Sequence, residues 1–254
     1  LVDLYGDGRP VVVSSDYAAG VFGLLEPGPD PRAPWSLRSL APPGFPGGML
    51  FQHGAGAGDL DGDGDLDVLT RWGWFESPGE RTSAWRAHVS PSPFGAVANR
   101  CSDMPTLDVD ADGLADVLCA SAHGAGMSWL EQVAPVPPSA EPTFVEHVAL
   151  GSEMVEEMHA LRLADLDGDG APEIITGTRW CAHCGPADTD DPATAYVVYF
   201  TVDRSGAEPR FDLHVIDDAS GIGVAFDTAD VDGDGDGDIV TANKHGTFNF
   251  RQVP

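Results

Sequence analysis

Asp165-Leu-Asp-Gly-Asp-Gly-Ala-Pro-Glu173 places four carboxylates within nine residues, and three other stretches of the chain repeat the arrangement. These full copies are Asp59–Asp67, Asp108–Asp116 and Asp230–Asp238, while a fifth copy, Asp3–Val11, is degenerate. Carboxylates this dense repel one another unless a cation offsets their charge. The repeated stretch therefore predicts a bound cation more readily than a solvated acidic turn without metal.

The spacing of the acids within each copy favours calcium. Calcium is a hard cation that takes roughly 6 to 8 oxygen ligands, and acids at alternating positions can point at one centre where glycine lets the backbone turn. We expect about four calcium ions, one in each full copy. The predicted ligands stand at positions 1, 3, 5 and 9: Asp59, Asp61, Asp63, Asp67, Asp108, Asp110, Asp112, Asp116, Asp165, Asp167, Asp169, Glu173, Asp230, Asp232, Asp234 and Asp238. In the degenerate copy Tyr5 and Val11 replace two acids, so no ion is expected there.

The five copies recur along the chain at steps of 49 to 65 residues. A step of this size is typical of a repeat array in which each unit buries its apolar face against its neighbours. We predict a single domain, 1–254, with units at approximately 1–50, 51–100, 101–156, 157–221 and 222–254.

Each unit has the pattern of four short strands. An apolar run precedes the acidic loop and a β-rich run follows it, as in Val11–Ser14 and Glu173–Thr176, and these following runs are expected to be buried strands. An aromatic-rich run comes next, and a fourth run places His88, His147 and His214 at one repeated, structural position. Four short strands repeated radially predict an all-β fold, a β-propeller of about five four-stranded blades with calcium loops between first and second strands.

The two terminal units are incomplete in complementary ways. The first lacks most of its inner strand and the fifth lacks its outer strand. We expect the N-terminal segment to lie beside the C-terminal unit, with Phe248 and Phe250 near Val11–Val13. The alternatives are that a flanking segment or a partner chain completes the ring, or that the ring is larger.

The composition fits a metal-rich protein outside the cytosol. The net charge is −28, from 41 acids against 13 lysines and arginines, which argues against nucleic acid and anionic membrane as partners. No run of about 18 apolar residues indicates a transmembrane helix, so no membrane insertion is expected. Weak calcium sites fill at extracellular rather than cytosolic calcium concentrations. The predicted location is secreted, periplasmic or cell-surface.

The four cysteines form two pairs in the sequence. Cys101 and Cys119 flank the third acidic loop and could form a disulfide in an oxidising compartment. Cys181-Ala-His-Cys184 has three open interpretations, namely a local disulfide, a soft-metal site that includes His183, or a redox-active pair.

The face opposite the acidic loops is the second candidate site. A propeller that carries its first-to-second-strand loops on one face carries its second-to-third-strand loops on the other. The residues predicted on that opposite face are Arg71, Trp72, His123, Arg179, Trp180, His183, Lys244 and His245. His53 and His159 precede inner strands, so they are expected near the mouth of the central channel. Convergent histidine, arginine and tryptophan side chains indicate a small-molecule or sugar site, although ordinary loop and channel residues would give the same pattern.

The Asp-x-Asp-Gly-Asp-Gly-x-x-Asp loops between two strands resemble the FG-GAP/VCBS repeat family. These are the calcium-loop propellers of integrin alpha-subunit heads and of many secreted bacterial proteins, and the secreted bacterial type is the closer match. The resemblance covers nearly the whole chain and implies the fold and calcium binding. It does not imply one function, because the same fold serves many functions.

Two function classes follow. The first is an extracellular binding or scaffolding module for a carbohydrate or protein partner, with Trp72, Trp74 and Trp180 as aromatic platforms. The second is a sugar-active lyase or dehydratase with its site on the face opposite the calcium loops, because related calcium-loop propellers include polysaccharide lyases and a sugar dehydratase.

Elimination needs a base to take a carbon-bound proton and a cation to hold the developing enolate. The candidate bases are His159 and His53, and the candidate cationic groups are Arg71, Arg179 or a second metal at the channel mouth. The sequence contains no nucleophile motif, phosphate loop or dinucleotide fingerprint.

Overall fold

The chain folds as a five-bladed β-propeller, which confirms the predicted architecture. The computed structural model describes residues 1–42, 44–48, 53–89, 92–134, 141–150, 155–180 and 195–253. Within this part of the chain, three blades are four-stranded antiparallel sheets and two are three-stranded.

The strands follow one another blade by blade. Blade 1 contains β1 (Val12–Asp16), β2 (Val21–Glu26) and β3 (Ser36–Ser39). Blade 2 contains β4 (Ala55–Gly58), β5 (Asp67–Thr70), β6 (Gly73–Glu76) and β7 (Arg86–His88). Blade 3 contains β8 (Thr106–Leu107), β9 (Asp116–Ala120), β10 (Met127–Val133) and β11 (Thr143–Leu150). Blade 4 contains β12 (Arg162–Ala164), β13 (Glu173–Gly177), β14 (Val197–Asp203) and β15 (Arg210–Asp217). Blade 5 contains β16 (Phe226–Ala229), β17 (Asp238–Asn243) and β18 (Gly246–Phe250).

The four full acidic loops join the first strand of a blade to its second strand, as predicted. The second strands of blades 2, 3 and 4 are buried along their whole length because sheet neighbours and adjacent blades cover them. Blade 1 differs, because the first three residues of β1 are half-buried and its last two residues are exposed. Its inner neighbour is reduced to a single bridge between Val2 and Val11, so the expectation of a buried strand at Val11–Ser14 holds only for Val11.

Apolar clusters hold neighbouring blades together. Val68 and Phe75 of blade 2 pack with the blade 1 core around Val11, and Phe250 packs with the cluster shared by blades 4 and 5. Two further clusters join blade 2 to blade 3 and blade 3 to blade 4. Among the described residues no such cluster joins blade 5 to blade 1, and the expected packing of Phe248 and Phe250 near Val11–Val13 stays a prediction.

The repeated outer-strand histidines stack on aromatic side chains of the third strands. His88 lies 4.2 Å from Trp74, His147 lies 4.5 Å from Trp129, and His214 lies 4.6 Å from Tyr199, measured between ring centroids. Their planes are tilted by only 9° to 20°. The structural role predicted for these histidines is therefore confirmed. Trp74 is buried beneath His88, so it cannot serve as the ligand platform expected from sequence.

A disulfide joins Cys101 to Cys119, as expected. It ties the segment before β8 to β9 within blade 3. In the described residues, no helix has the length and apolar character needed to cross a membrane.

Candidate functional site

The first carboxylate of each full acidic loop holds the loop closed. Asp59 accepts hydrogen bonds from the backbone N–H groups of Gly62 and Gly64 at 2.8 and 3.0 Å. The first acids of the other three loops also accept from the sixth-position N–H, at 3.0 to 3.1 Å. That sixth residue is always glycine with φ between 91° and 100°, a conformation that side chains disfavour. The fourth position is glycine with positive φ in three of the loops. In the blade 3 loop this position is Ala111, which also has positive φ, of 64°.

The ninth position, predicted as an ion ligand, has a second role that the sequence did not indicate. Asp116 is fully buried and accepts from the N–H groups of Val109 and Gln132 at 2.9 and 2.8 Å. Asp67 and Asp238 make the same two-sided contact in blades 2 and 5. The ninth acid therefore fastens its loop to the end of the third strand.

The fifth position, also predicted as a ligand, lies outside the acidic cluster in three loops. Asp63, Asp112 and Asp169 each accept the backbone N–H two residues later, at 2.7 to 2.9 Å. In these loops the first, third and ninth acids bring carboxylate oxygens within 4.8 Å of one another. In the blade 5 loop the clustered acids are instead the first, third and fifth.

The donor sets of these loops fit calcium. Each gathers at least three carboxylates, the hard oxygen ligands that calcium prefers. Within the described part of the chain, Oδ1 of Asp108 is buried and has no hydrogen-bond partner. Burial, with the charges of nearby aspartates, raises the pKa of Asp67 to about 7 and that of Asp116 to about 6. A bound calcium ion would supply the positive charge that these carboxylates lack.

An arginine from blade 2 binds the degenerate loop. Asp3 still accepts the N–H of Gly8 at 2.8 Å, so the loop keeps its shape. The guanidinium of Arg81 binds both carboxylate oxygens of Asp7, at 2.7 and 2.8 Å, and this pairing lowers the pKa of Asp7 to about 2. Arg81 also lies 4.5 Å over the ring of Tyr5, the residue that replaces the third-position acid. Among the described residues the clusters of three acidic groups lie in the four full loops and not around Asp3.

Three histidines from three separate loops meet on one side of the propeller. His53 precedes β4, His123 lies between β9 and β10, and His159 precedes β12. Their ring centroids are 5.1 Å (His53–His123), 5.9 Å (His53–His159) and 4.6 Å (His123–His159) apart. We call this group, with Glu157, Arg179 and Arg71, the histidine mouth. The prediction that His53, His159 and Arg179 converge is confirmed.

Glu157, which the sequence reasoning did not single out, organises the histidine mouth. Its backbone carbonyl accepts the N–H groups of His159 and Arg179 at 2.9 and 3.0 Å, and its own N–H donates to Gly124 at 2.8 Å. The residue is buried and adopts φ of 56°, a conformation that costs energy for a residue with a side chain. Oε2 of Glu157 lies 3.7 Å from Nδ1 of His123.

Arg179 and Arg71 each carry a buried side-chain donor without a hydrogen-bond partner among the described residues. Arg179 Nη1 donates to Nε2 of His159 at 2.8 Å, whereas among the described residues its Nε and Nη2 atoms are buried without a hydrogen-bond partner. Arg71 donates its backbone N–H to Gly54, next to His53, and its side-chain Nε is likewise buried and unpaired. Burial, together with the charges of Arg179, His123 and His53, lowers the pKa of His159 to about 3, so this imidazole is neutral near pH 7.

The remaining predicted residues are distributed around this group. Trp180 contacts His245, with 3.5 Å between ring centroids, and Trp72 packs beneath the Arg71 guanidinium at 4.3 Å. Lys244 is exposed beside His245. Cys181, His183 and Cys184 lie outside the described residues.

No protein-family model matches this chain, and no curated protein matches it.

Proposed function

We propose that the chain is a calcium-stabilised recognition module of the FG-GAP/VCBS type that works outside the cytosol. Its ligand is an anionic group on a carbohydrate or protein partner, bound at the histidine mouth. The four acidic loops hold about four calcium ions and stiffen the blades. The Cys101–Cys119 disulfide supports a secreted, periplasmic or cell-surface location, because disulfides persist in oxidising compartments.

The observation that carries the proposal is the set of unpaired buried donors on Arg179 and Arg71. Leaving a buried donor without an acceptor costs roughly 1–3 kcal/mol. A carboxylate, sulfate or phosphate group removes that cost, and a guanidinium can bind such a group with two parallel hydrogen bonds. These two arginines stand out in a chain with 41 acids and 13 lysines and arginines, so an anion has few other places to bind.

Binding assays with matched variants test this function. Arg179→Ala is expected to abolish binding of acidic oligosaccharides, or of a captured acidic protein partner, while calcium content and melting temperature stay nearly unchanged. Arg86→Ala is the control, because Arg86 lies on the outer strand β7 and its exposed guanidinium pairs with Glu76 and Glu141. Neutral and acidic glycans are compared in one array. Equal binding by wild type and Arg179→Ala would contradict the proposal.

Elimination chemistry is the second candidate, and the hydrogen bond of His53 favours it. Nδ1 of His53 donates to the carbonyl oxygen of Cys101 at 2.9 Å, which leaves Nε2 as a proton acceptor. His159 is a weak base, because a pKa of about 3 gives its imidazole little affinity for a proton. Arg179 or Arg71 would then hold the substrate carboxylate beside the reacting carbon.

The two functions differ in their products. Incubation with acidic oligosaccharides should create new ultraviolet absorbance if a double bond forms, and His53→Ala should remove that absorbance while oligosaccharide binding remains. Binding without any new absorbance would leave recognition as the function.

A further inference from the structure

The ring centres of the three histidines lie at distances from one another that a single shared metal ion could bridge. An imidazole nitrogen binds zinc at about 2.0–2.1 Å, so ring centres lie about 3.2 Å from the ion and about 5 Å from each other in tetrahedral geometry. The three ring-centroid distances of 4.6, 5.1 and 5.9 Å bracket that value. Three imidazoles at this spacing can share one ion after small side-chain rotations.

The ring planes separate this group from the structural histidines. The outer-strand histidines lie nearly parallel to their aromatic partners, with tilts of 9° to 20°. In the histidine mouth the rings are tilted against each other by 55° to 78°. Stacking therefore does not explain why these three rings are gathered.

The nitrogen atoms are also placed for ligation. His53 donates Nδ1–H to the Cys101 carbonyl, so its Nε2 lone pair points away from the backbone, the arrangement common for metal-binding histidines. Nδ1 of His159 is buried and has no hydrogen-bond partner among the described residues. Ligand atoms of His123, Glu157 and His159 lie within 4.8 Å of one another, and His53 falls outside that group, so its ring must rotate to reach a shared ion.

We propose that the histidine mouth is a transition-metal site of the zinc type, with His53, His123, His159 and Glu157 as ligands. Imidazole nitrogens with one carboxylate suit zinc, whereas calcium prefers oxygen ligands, so the protein has two distinct classes of metal site. The side chain of His123 is 53% exposed, so an ion here borders solvent and can accept an external ligand.

Metal binding and the Arg179–His159 hydrogen bond exclude each other. Nε2 of His159 accepts from Arg179, so its ring proton is on Nδ1. If Nδ1 of His159 binds the metal ion, the ring proton moves to Nε2. Nε2 is then a donor that faces the donor group of Arg179, so the hydrogen bond between them is lost and the guanidinium is displaced. The released guanidinium can then bind an anion beside the metal ion. This coupling rests on the proposed function, whereas the metal site itself does not.

Zinc titration of the calcium-loaded protein tests the site. Chelator-treated protein is reloaded with excess calcium and titrated with zinc chloride alone by calorimetry. Cobalt(II) serves as a second probe, because nitrogen-rich tetrahedral cobalt absorbs strongly in the visible range. We expect one tight zinc equivalent per chain, weakened about tenfold or more by His53→Gln and by Glu157→Gln, since even outer-shell changes cost 10–100-fold. Arg179→Met should tighten zinc binding by removing the competing donor.

Three controls make the outcome decisive. His214→Gln, at an outer strand, should leave zinc affinity unchanged. Cys181→Ser/Cys184→Ser should retain the equivalent, and loss in this variant would assign the ion to the cysteines and overturn the proposal. Absence of the equivalent in wild type, or its persistence in both mouth variants, would also overturn it.

Melting temperatures in calcium identify any variant that fails to fold. Anion binding is measured without zinc, so the recognition function can fail or succeed independently.

Discussion

His53 donates its Nδ1 hydrogen to the backbone carbonyl oxygen of Cys101, with 2.9 Å between the two atoms. Cys101 is one half of the disulfide to Cys119, so a covalent bond in blade 3 fixes the acceptor that orients a histidine preceding blade 2. The disulfide therefore stabilises the histidine mouth as well as the blade.

Removing the disulfide should have two measurable effects. The double variant Cys101→Ser/Cys119→Ser is expected to lose about 3 kcal/mol of unfolding free energy in urea titrations, the value typical of a loop of this size. The hydrogen-bonded Nδ1 signal of His53 in nitrogen-15 NMR spectra should weaken, while the Nε2 signal of His147, whose Nε2 lies 2.6 Å from Oε2 of Glu131, should persist. An unchanged His53 signal would show that the carbonyl is held without the disulfide.

Calcium content should be about four ions per chain. Chelation is expected to lower the melting temperature, because a ligand that binds only the folded state stabilises it by mass action. Asp167→Ala should remove one ion, and Asp16→Ala, an acid at the end of β1 outside the acidic loops, should remove none. Elemental analysis of the folded protein measures both, and a content of one ion or none would contradict the calcium assignment.

The repeated loops made the propeller predictable, because their spacing and the strand patterns around them are local features of the sequence. The second role of the ninth acid was not predictable in that way. Asp116 binds the N–H of Gln132, 16 residues later, and that contact depends on how β10 pairs with β9. Glu157 was missed for a similar reason, since its backbone conformation depends on a hydrogen bond to Gly124 in the loop between β9 and β10.

Arg81 was likewise hidden from sequence reasoning, because it lies 74 residues from Asp7. Sequence spacing does not indicate that a guanidinium from blade 2 binds the degenerate loop. The converging histidines were predictable because strand order alone assigns their loops to one face.

Ala111 should be a point of local strain in the blade 3 loop. Ala111 has φ of 64°, whereas the other full loops have glycine with positive φ at the same position. Ala111→Gly is expected to raise the unfolding free energy by about 1 kcal/mol. A side chain in this conformation costs roughly 1–2 kcal/mol, and the larger conformational entropy of glycine in the unfolded chain offsets part of the gain from removing it. Gly62→Ala should lower stability by a similar amount. Denaturant titrations of the reciprocal pair give the answer, and equal stability of wild type and both variants would refute the strain.

Arg81→Ala should destabilise the contact between blades 1 and 2. The guanidinium binds Asp7, lies over Tyr5 and is 3.6 Å from Glu26, so its removal takes away the bidentate partner of Asp7 and leaves Glu26 only Arg38, at 3.9 Å. The melting temperature in saturating calcium is expected to fall by a few degrees. Arg32→Ala is the matched control, because Arg32 is 89% exposed in its ion pair and should have no effect. Equal melting temperatures for the two variants would mean that Arg81 has no structural role.

The ninth acid and the third acid of one loop should respond differently to calcium removal. Asp116→Ala leaves the N–H groups of Val109 and Gln132 buried without acceptors, and each unpaired donor costs roughly 1–3 kcal/mol. Asp110→Ala removes a predicted ion ligand whose own hydrogen bond, to Asp112, is exposed. In chelator, Asp110→Ala should therefore match wild type in unfolding free energy while Asp116→Ala remains less stable. In calcium both variants should be destabilised. If Asp116→Ala equals wild type once calcium is removed, the ninth acid is only an ion ligand and its hydrogen bonds add nothing to the fold.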